Sequence, residues 1–197
     1  MSILSGPELY SLIEVNKSKL RLSLGEFLGV GKHGCVYRLD TETVVKFTVS
    51  PSEIDMAEYL LESEPISGFP EVYEIIRLKL PGYDRPTIAI VKEDVSHIDA
   101  LNKNLLNSVM NLFGVVDNRN TIDASKDILY SQLEKELKSE YSVEEEIMLI
   151  ELTDFLVWCL ENFIYLSDVI KRNLGIRISS TGQTHVVLRD FSTCDIG

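Results

Sequence analysis

A change of pattern near Asp94 constrains this chain of 197 residues more than any other feature. Ahead of it, from Arg21 to about Lys92, short runs of β-branched and aromatic residues are separated by turn residues. They are Phe27, Cys35-Val36-Tyr37, Thr43-Val44-Val45, Val72 to Ile76 and Thr87 to Val91, and each predicts a strand. One helix, Glu53 to Leu61, interrupts them, with Ser52 as its cap and Ile54, Ala57, Tyr59 and Leu61 as its apolar contacts. Another, Glu8 to Asn16, leads into the sheet. Past Asp94 the period becomes helical. Residues 97–140 are polar and mostly helical, and Val143 to Tyr165 reads as one long helix. There Met148, Leu152, Phe155, Leu156, Cys159 and Phe163 recur at three and four residues and make a wide apolar face. Two strands follow, Leu174 to Ile178 and His185 to Leu188, joined by a turn at Ser179 to Gly182. The expectation is an α+β chain of two lobes, residues 1–94 rich in strand and residues 95–197 mainly helical.

The residues that could carry chemistry fall at four places. The first is Gly29-Val30-Gly31-Lys32-His33-Gly34-Cys35-Val36. A dinucleotide-binding loop needs a helix at the third glycine, but a strand follows here. A P-loop needs Ser or Thr after the lysine, and His33 stands there. What remains is a strand–loop–strand hairpin, either a plain turn or a flap whose backbone N–H groups can approach phosphates. The second is Lys46, between apolar neighbours on the following strand. A lysine there needs a partner or a route to solvent, and Glu58 on the next helix is the natural candidate, with Glu53 and Glu62 as rivals.

The third place is Asp168 with Asn173, directly after the long helix. A carboxylate there can orient the proton of an attacking hydroxyl while the Asn oxygen binds a metal ion; the bland alternative is two loop residues capping backbone. The fourth is Asp190 before Phe191, at the end of an apolar strand, which could chelate Mg²⁺ or simply start a turn.

In this order (flap, strand lysine, helix glutamate, apolar strand and linker, long helix, D-x4-N, hairpin, Asp-Phe) the chain resembles the protein-kinase-like superfamily from Leu24 to Ser192. In detail it looks most like the minimal kinases of T7-like bacteriophages and their bacterial relatives, through Phe69-Pro70-Glu71-Val72-Tyr73-Glu74 and Asn173-Leu174-Gly175-Ile176. The resemblance implies a two-lobed protein-kinase-like fold with a β-rich N-lobe and a much reduced helical C-lobe. It implies ATP and Mg²⁺ as cofactors and Ser/Thr hydroxyls of protein as acceptors. Gly29, Gly31, Gly34 and Val36 then belong to the phosphate-covering loop, Lys46 is the ATP-binding lysine and Glu58 its helix partner. Lys92, Glu93 and Asp94 fall in the hinge that holds adenine through its backbone. Asp168 is the catalytic aspartate, and Asn173 and Asp190 are the metal ligands.

Departures from the family pattern are Leu166-Ser167 before the catalytic aspartate, Ser192 after Asp-Phe, and almost no activation loop or peptide-docking helices. They leave two alternatives: a pseudokinase-type module that regulates a protein partner without catalysis, and a small-molecule kinase. Net charge −12 argues against nucleic acid and anionic membrane as partners. The start MSILSGPELY lacks a signal-peptide pattern, and Glu151, Asp154 and Glu161 interrupt the most apolar stretch. A cytoplasmic protein is expected, in the host bacterial cytoplasm if it is phage-encoded. Cys35, Cys159 and Cys194 read as unpaired thiols, and His33, His97 and His185 have no ligand spacing.

Overall fold

A computed structural model describes residues 4–84, 86–116, 122–167, 169–190 and 194–196. The architecture is α+β and divides into two compact units. Met1–Ile66 and Pro70–Asp94 form the first, and Ser67–Phe69 and Val95–Gly197 form the second.

The first unit is a five-stranded antiparallel sheet built from β1 (Phe27–Val30), β2 (Gly34–Arg38), β3 (Thr43–Thr48), β4 (Val72–Leu78) and β5 (Thr87–Glu93), in the order β1-β2-β3-β5-β4. Helix α2 (Pro51–Glu62) falls between β3 and β4 in the chain, and α1 (Gly6–Asn16) precedes the sheet. Strand alternation sorts the side chains into two faces. Cys35, Tyr37, Val45, Phe47, Ala89 and Val91 share one buried cluster with Leu9 and Ile13 of α1. The intervening residues, Val36, Lys46 and Ile90, lie in one cross-strand row on the other face.

Helix α2 is capped by Ser50, with Pro51 at its first position, rather than by Ser52. Proline needs no N–H partner there and its fixed φ suits the first turn. Its buried residues are Glu53, Met56, Ala57 and Leu60, spaced at three and four, whereas Leu61 is exposed. Of the expected face (Ile54, Ala57, Tyr59 and Leu61), Ala57 is buried, Ile54 and Tyr59 are half-buried and Leu61 is exposed. Its apolar residues were scored as core, but the buried stripe includes a carboxylate.

The second unit carries α3 (Lys103–Val116), α4 (Ile122–Glu136) and α5 (Val143–Glu161). A three-stranded sheet joins β6 (Ser96–His97), β8 (Leu174–Ile178) and β9 (Thr184–Leu188), and β7 (Ile164–Leu166) pairs with β10 (Cys194–Ile196). Helix α5 begins with a capping box between Ser142 and Glu145. It buries Met148, Leu149, Leu152, Phe155, Leu156 and Cys159. It stops at Glu161, four residues short of the expected end. Phe163 takes a left-handed φ of 55° and is exposed instead of joining the core. The predicted turn between β8 and β9 forms, with Gly182 at φ 84°. Gly68 packs where a Cβ would lie 2.3 Å from the Phe155 ring, and its carbonyl accepts the Leu188 N–H at 2.8 Å. Among the described residues no helix is long and apolar enough to cross a membrane.

Candidate functional site

The candidate residues of the first unit gather on the α2 face of the sheet and at the β1–β2 loop. Lys46 is only 7 % exposed, and its ammonium pairs with Glu53, itself 1 % exposed. Glu58 instead pairs with Arg77 of β4 at 2.5 Å, near the surface. The expected Lys46–Glu58 pairing is thus corrected to Lys46–Glu53, and the reason is helical phase. At about 100° per residue, Glu58 sits roughly 140° around the helix from Glu53 and off the sheet-facing stripe. The second carboxylate oxygen of Glu53, Oε2, is buried without a hydrogen-bond partner among the described residues.

The three loop glycines are not equivalent. A Cβ on Gly34 would lie 2.6 Å from the Phe47 carbonyl oxygen and 3.1 Å from Lys46 Cε, so only glycine fits beside β3. A Cβ on Gly29 would meet nothing within 4 Å, and one on Gly31 only the Gly34 carbonyl at 3.9 Å. These two leave open space over the loop. The Gly31 N–H closes the turn onto the Gly34 carbonyl at 2.8 Å. The Lys32 and His33 N–H groups donate no hydrogen bond among the described residues. Val36 stands directly across from Lys46 in the β2–β3 register. Cys35, one residue before it, faces the α1 side, where burial pushes its thiol up to about 12 and leaves it protonated.

At the end of β5 the arrangement differs from the expectation. The Glu93 N–H donates to the Glu71 carbonyl at 2.9 Å, and the Asp94 N–H to the Glu42 carbonyl at 2.8 Å. The Asp94 carboxylate holds Arg38 at 2.5 Å. Two of the backbone donors assigned to adenine are therefore spent inside the unit. Lys92 is a second nearly buried lysine, 5 % exposed, across from Val44 and on the same face as Lys46. The hinge reading named Lys92 for its backbone; with Val91 before it and Glu93 after it, the local sequence did not mark its side chain for burial.

In the second unit, Asn173 closes a short helical turn and Leu174 opens β8. Leu174 pairs with Leu188, and the Arg189 N–H donates to the Asn173 carbonyl at 2.7 Å. Asn173 and Asp190 thus lie at the same open end of the β8–β9 hairpin, one on each strand's flank. An amide oxygen and a carboxylate are donors suited to Mg²⁺, which prefers oxygen ligands and keeps other positions for water and phosphate. Among the described residues, no group of three or more His, Cys, Asp and Glu is placed to hold a metal ion on its own. Asp168, Phe191 and Ser192 lie outside the described residues. Arg189 reaches His97 Nδ1 at 2.9 Å, a contact with no signal in the local sequence.

Within the first unit, a buried ammonium and two loop amides that donate no hydrogen bond among the described residues are groups suited to anionic oxygens; within the second, Asn173 and Asp190 offer oxygen atoms of the kind a hard cation takes. No family model matches the chain, and no curated protein matches it in sequence.

Proposed function

We propose that the chain is a minimal kinase of protein-kinase-like, two-lobed fold that transfers a phosphoryl group from Mg-ATP to Ser or Thr hydroxyls of protein. The observation that carries this reading is the buried Lys46–Glu53 pair on the same face as Val36 and next to Gly34. An ammonium removed from water costs several kcal/mol unless its charge is used. Glu53 pairs with it, and an ammonium is a group suited to phosphate oxygens. The strand order β1-β2-β3-β5-β4, with a helix between β3 and β4, supports the resemblance drawn from the motifs.

In this reading the Lys32 and His33 amides bind phosphate oxygens, and Lys46 neutralises charge on them. Asn173 and Asp190 hold Mg²⁺, and Asp168 orients the acceptor hydroxyl and receives its proton. The bound nucleotide supplies the phosphoryl group and a good leaving group. The adenine takes its donors beyond Asp94, since the Glu93 and Asp94 amides are engaged.

Incubation with radiolabelled ATP and Mg²⁺, beside Lys46→Ala and Asp168→Asn, tests the proposal. Label on the protein or on an added bacterial lysate should fall at least about a hundredfold in both variants. Equal label in all three identifies a contaminant. Thermal stabilisation by Mg-ATP without any transfer would replace this reading with the pseudokinase.

A further inference from the structure

We infer that helix α1 is a built-in brace that sets the glycine loop in its phosphate-receptive conformation, so that nucleotide affinity is controlled from the N-terminal segment. The inference rests on the proposed function and adds to it a control element outside the nucleotide-binding residues.

The first residue of the helix makes the contact. The Gly6 N–H donates to the Lys32 carbonyl at 2.7 Å. A Cβ on Gly6 would lie 1.9 Å from the Gly31 carbonyl oxygen and 2.9 Å from that of Gly34, so the loop backbone packs directly on the helix start. Both the Gly31 and the Lys32 carbonyls are therefore turned toward α1. In a trans peptide the C=O and the next N–H point in opposite directions. The Lys32 and His33 N–H groups are consequently turned away from α1.

The side away from α1 is identified by strand alternation. Leu9 and Ile13 of α1 cluster with Cys35, Tyr37, Val45 and Phe47. Lys46, between Val45 and Phe47, is on the opposite face. The two amides, which donate no hydrogen bond among the described residues, thus face the side that carries the Lys46 ammonium.

The brace is rigid at both ends. Leu9 and Ile13 are fully buried, and the Tyr37 hydroxyl donates to Glu14 at 2.7 Å. At the start of the helix the Ser5 N–H and hydroxyl donate to Glu8 at 2.8 and 2.7 Å. The Ser5 N–H holds the Glu8 carboxyl below its ordinary value. The first turn is held together by these bonds, and Leu9, Ile13 and Glu14 anchor the helix to the sheet, so α1 supplies the fixed side of the contact with the loop.

The test uses the whole chain and reads binding and backbone exchange, not turnover. Mg-ATP affinity is measured by calorimetry, and hydrogen exchange is followed over residues 28–37, for wild type, Gly6→Ala and Ser5→Ala. The alanine Cβ forces the helix start off the loop. Gly6→Ala should weaken Mg-ATP about tenfold, as when the competent conformation falls to about a tenth of the population. Exchange at residues 31–34 should speed up while β3 stays protected. Ser5→Ala, which adds no atoms and loosens the first turn, should weaken binding about threefold. If Gly6→Ala fails to fold, Ser5→Ala decides alone. Wild-type affinity in a folded variant overturns the brace and leaves the kinase reading intact. Failure of the wild type itself to bind Mg-ATP overturns the kinase reading, and the brace with it.

Discussion

An ammonium as secluded as that of Lys46 must be matched by a counter-charge, and the match is specific to one helical phase. Removing one member of a buried pair leaves an uncompensated charge, at a cost of about 3–5 kcal/mol. An exposed pair such as Glu58–Arg77 contributes only about 0–1 kcal/mol. Glu53→Gln should therefore lower stability by several kcal/mol, and Glu58→Gln by less than about 1 kcal/mol. Chemical denaturation of the two variants checks this. Equal losses, or a larger loss at Glu58, would return Lys46 to the partner expected from sequence. That expectation failed for a definite reason: three glutamates follow Lys46 along α2 in the sequence, and only the phase of the helix on the sheet decides which of them is turned toward it.

Among the elements, α3 and α4 are tied by one carboxylate. Glu136, at the end of α4, accepts hydrogen bonds from Ser108, Asn111 and Gln132, with Asn111 at 3.0 Å. Ser108 also meets the Tyr141 hydroxyl at 2.7 Å. Burial pushes the Glu136 carboxyl up, but the three donors outweigh it and hold the carboxyl below its ordinary value. The native state thus favours the charged form. Its contribution is present above the unfolded value, near 4.5, and is lost as pH falls through the lower folded value. Glu136→Ala should cost about 1–3 kcal/mol at pH 7. The gap to wild type should narrow as unfolding is repeated from pH 5 down to about pH 3. A gap that stays constant would assign the loss to packing rather than to the carboxylate.

For the whole molecule the dominant long-range quantity is its charge, −12 over 197 residues. Self-repulsion of that size opposes the compact state, and salt screens it over about 10 Å at 0.1 M. The surface pairs Lys126–Glu161 and Lys171–Asp99, each at 2.5 Å, act the other way, but exposed pairs contribute about 0–1 kcal/mol each. Repulsion should win. Raising NaCl from 0.02 to 0.3 M should lift Tm by roughly 2–5 °C. A fall in Tm over that range would mean that the ion pairs outweigh the net charge.

Sequence alone determined the five strands and the helices ahead of Asp94, the long helix after it and the hairpin of β8 and β9, because periods of two and of three to four are written in neighbouring residues; the short strands β6, β7 and β10 left no such period. It also brought Lys46, the glycine loop, Asn173 and Asp190 forward as the residues worth following. Tertiary structure decided what depends on the meeting of distant segments. It chose Glu53 over Glu58 by the phase of α2 on the sheet, and it placed Gly6 against the glycine loop. It also committed the Glu93 and Asp94 amides and paired the three-residue strands β7 and β10. Apart from Lys46–Glu53, seven positions apart, these pairings join residues tens of positions apart. Their free energy comes from burial and register, which no local window of sequence encodes.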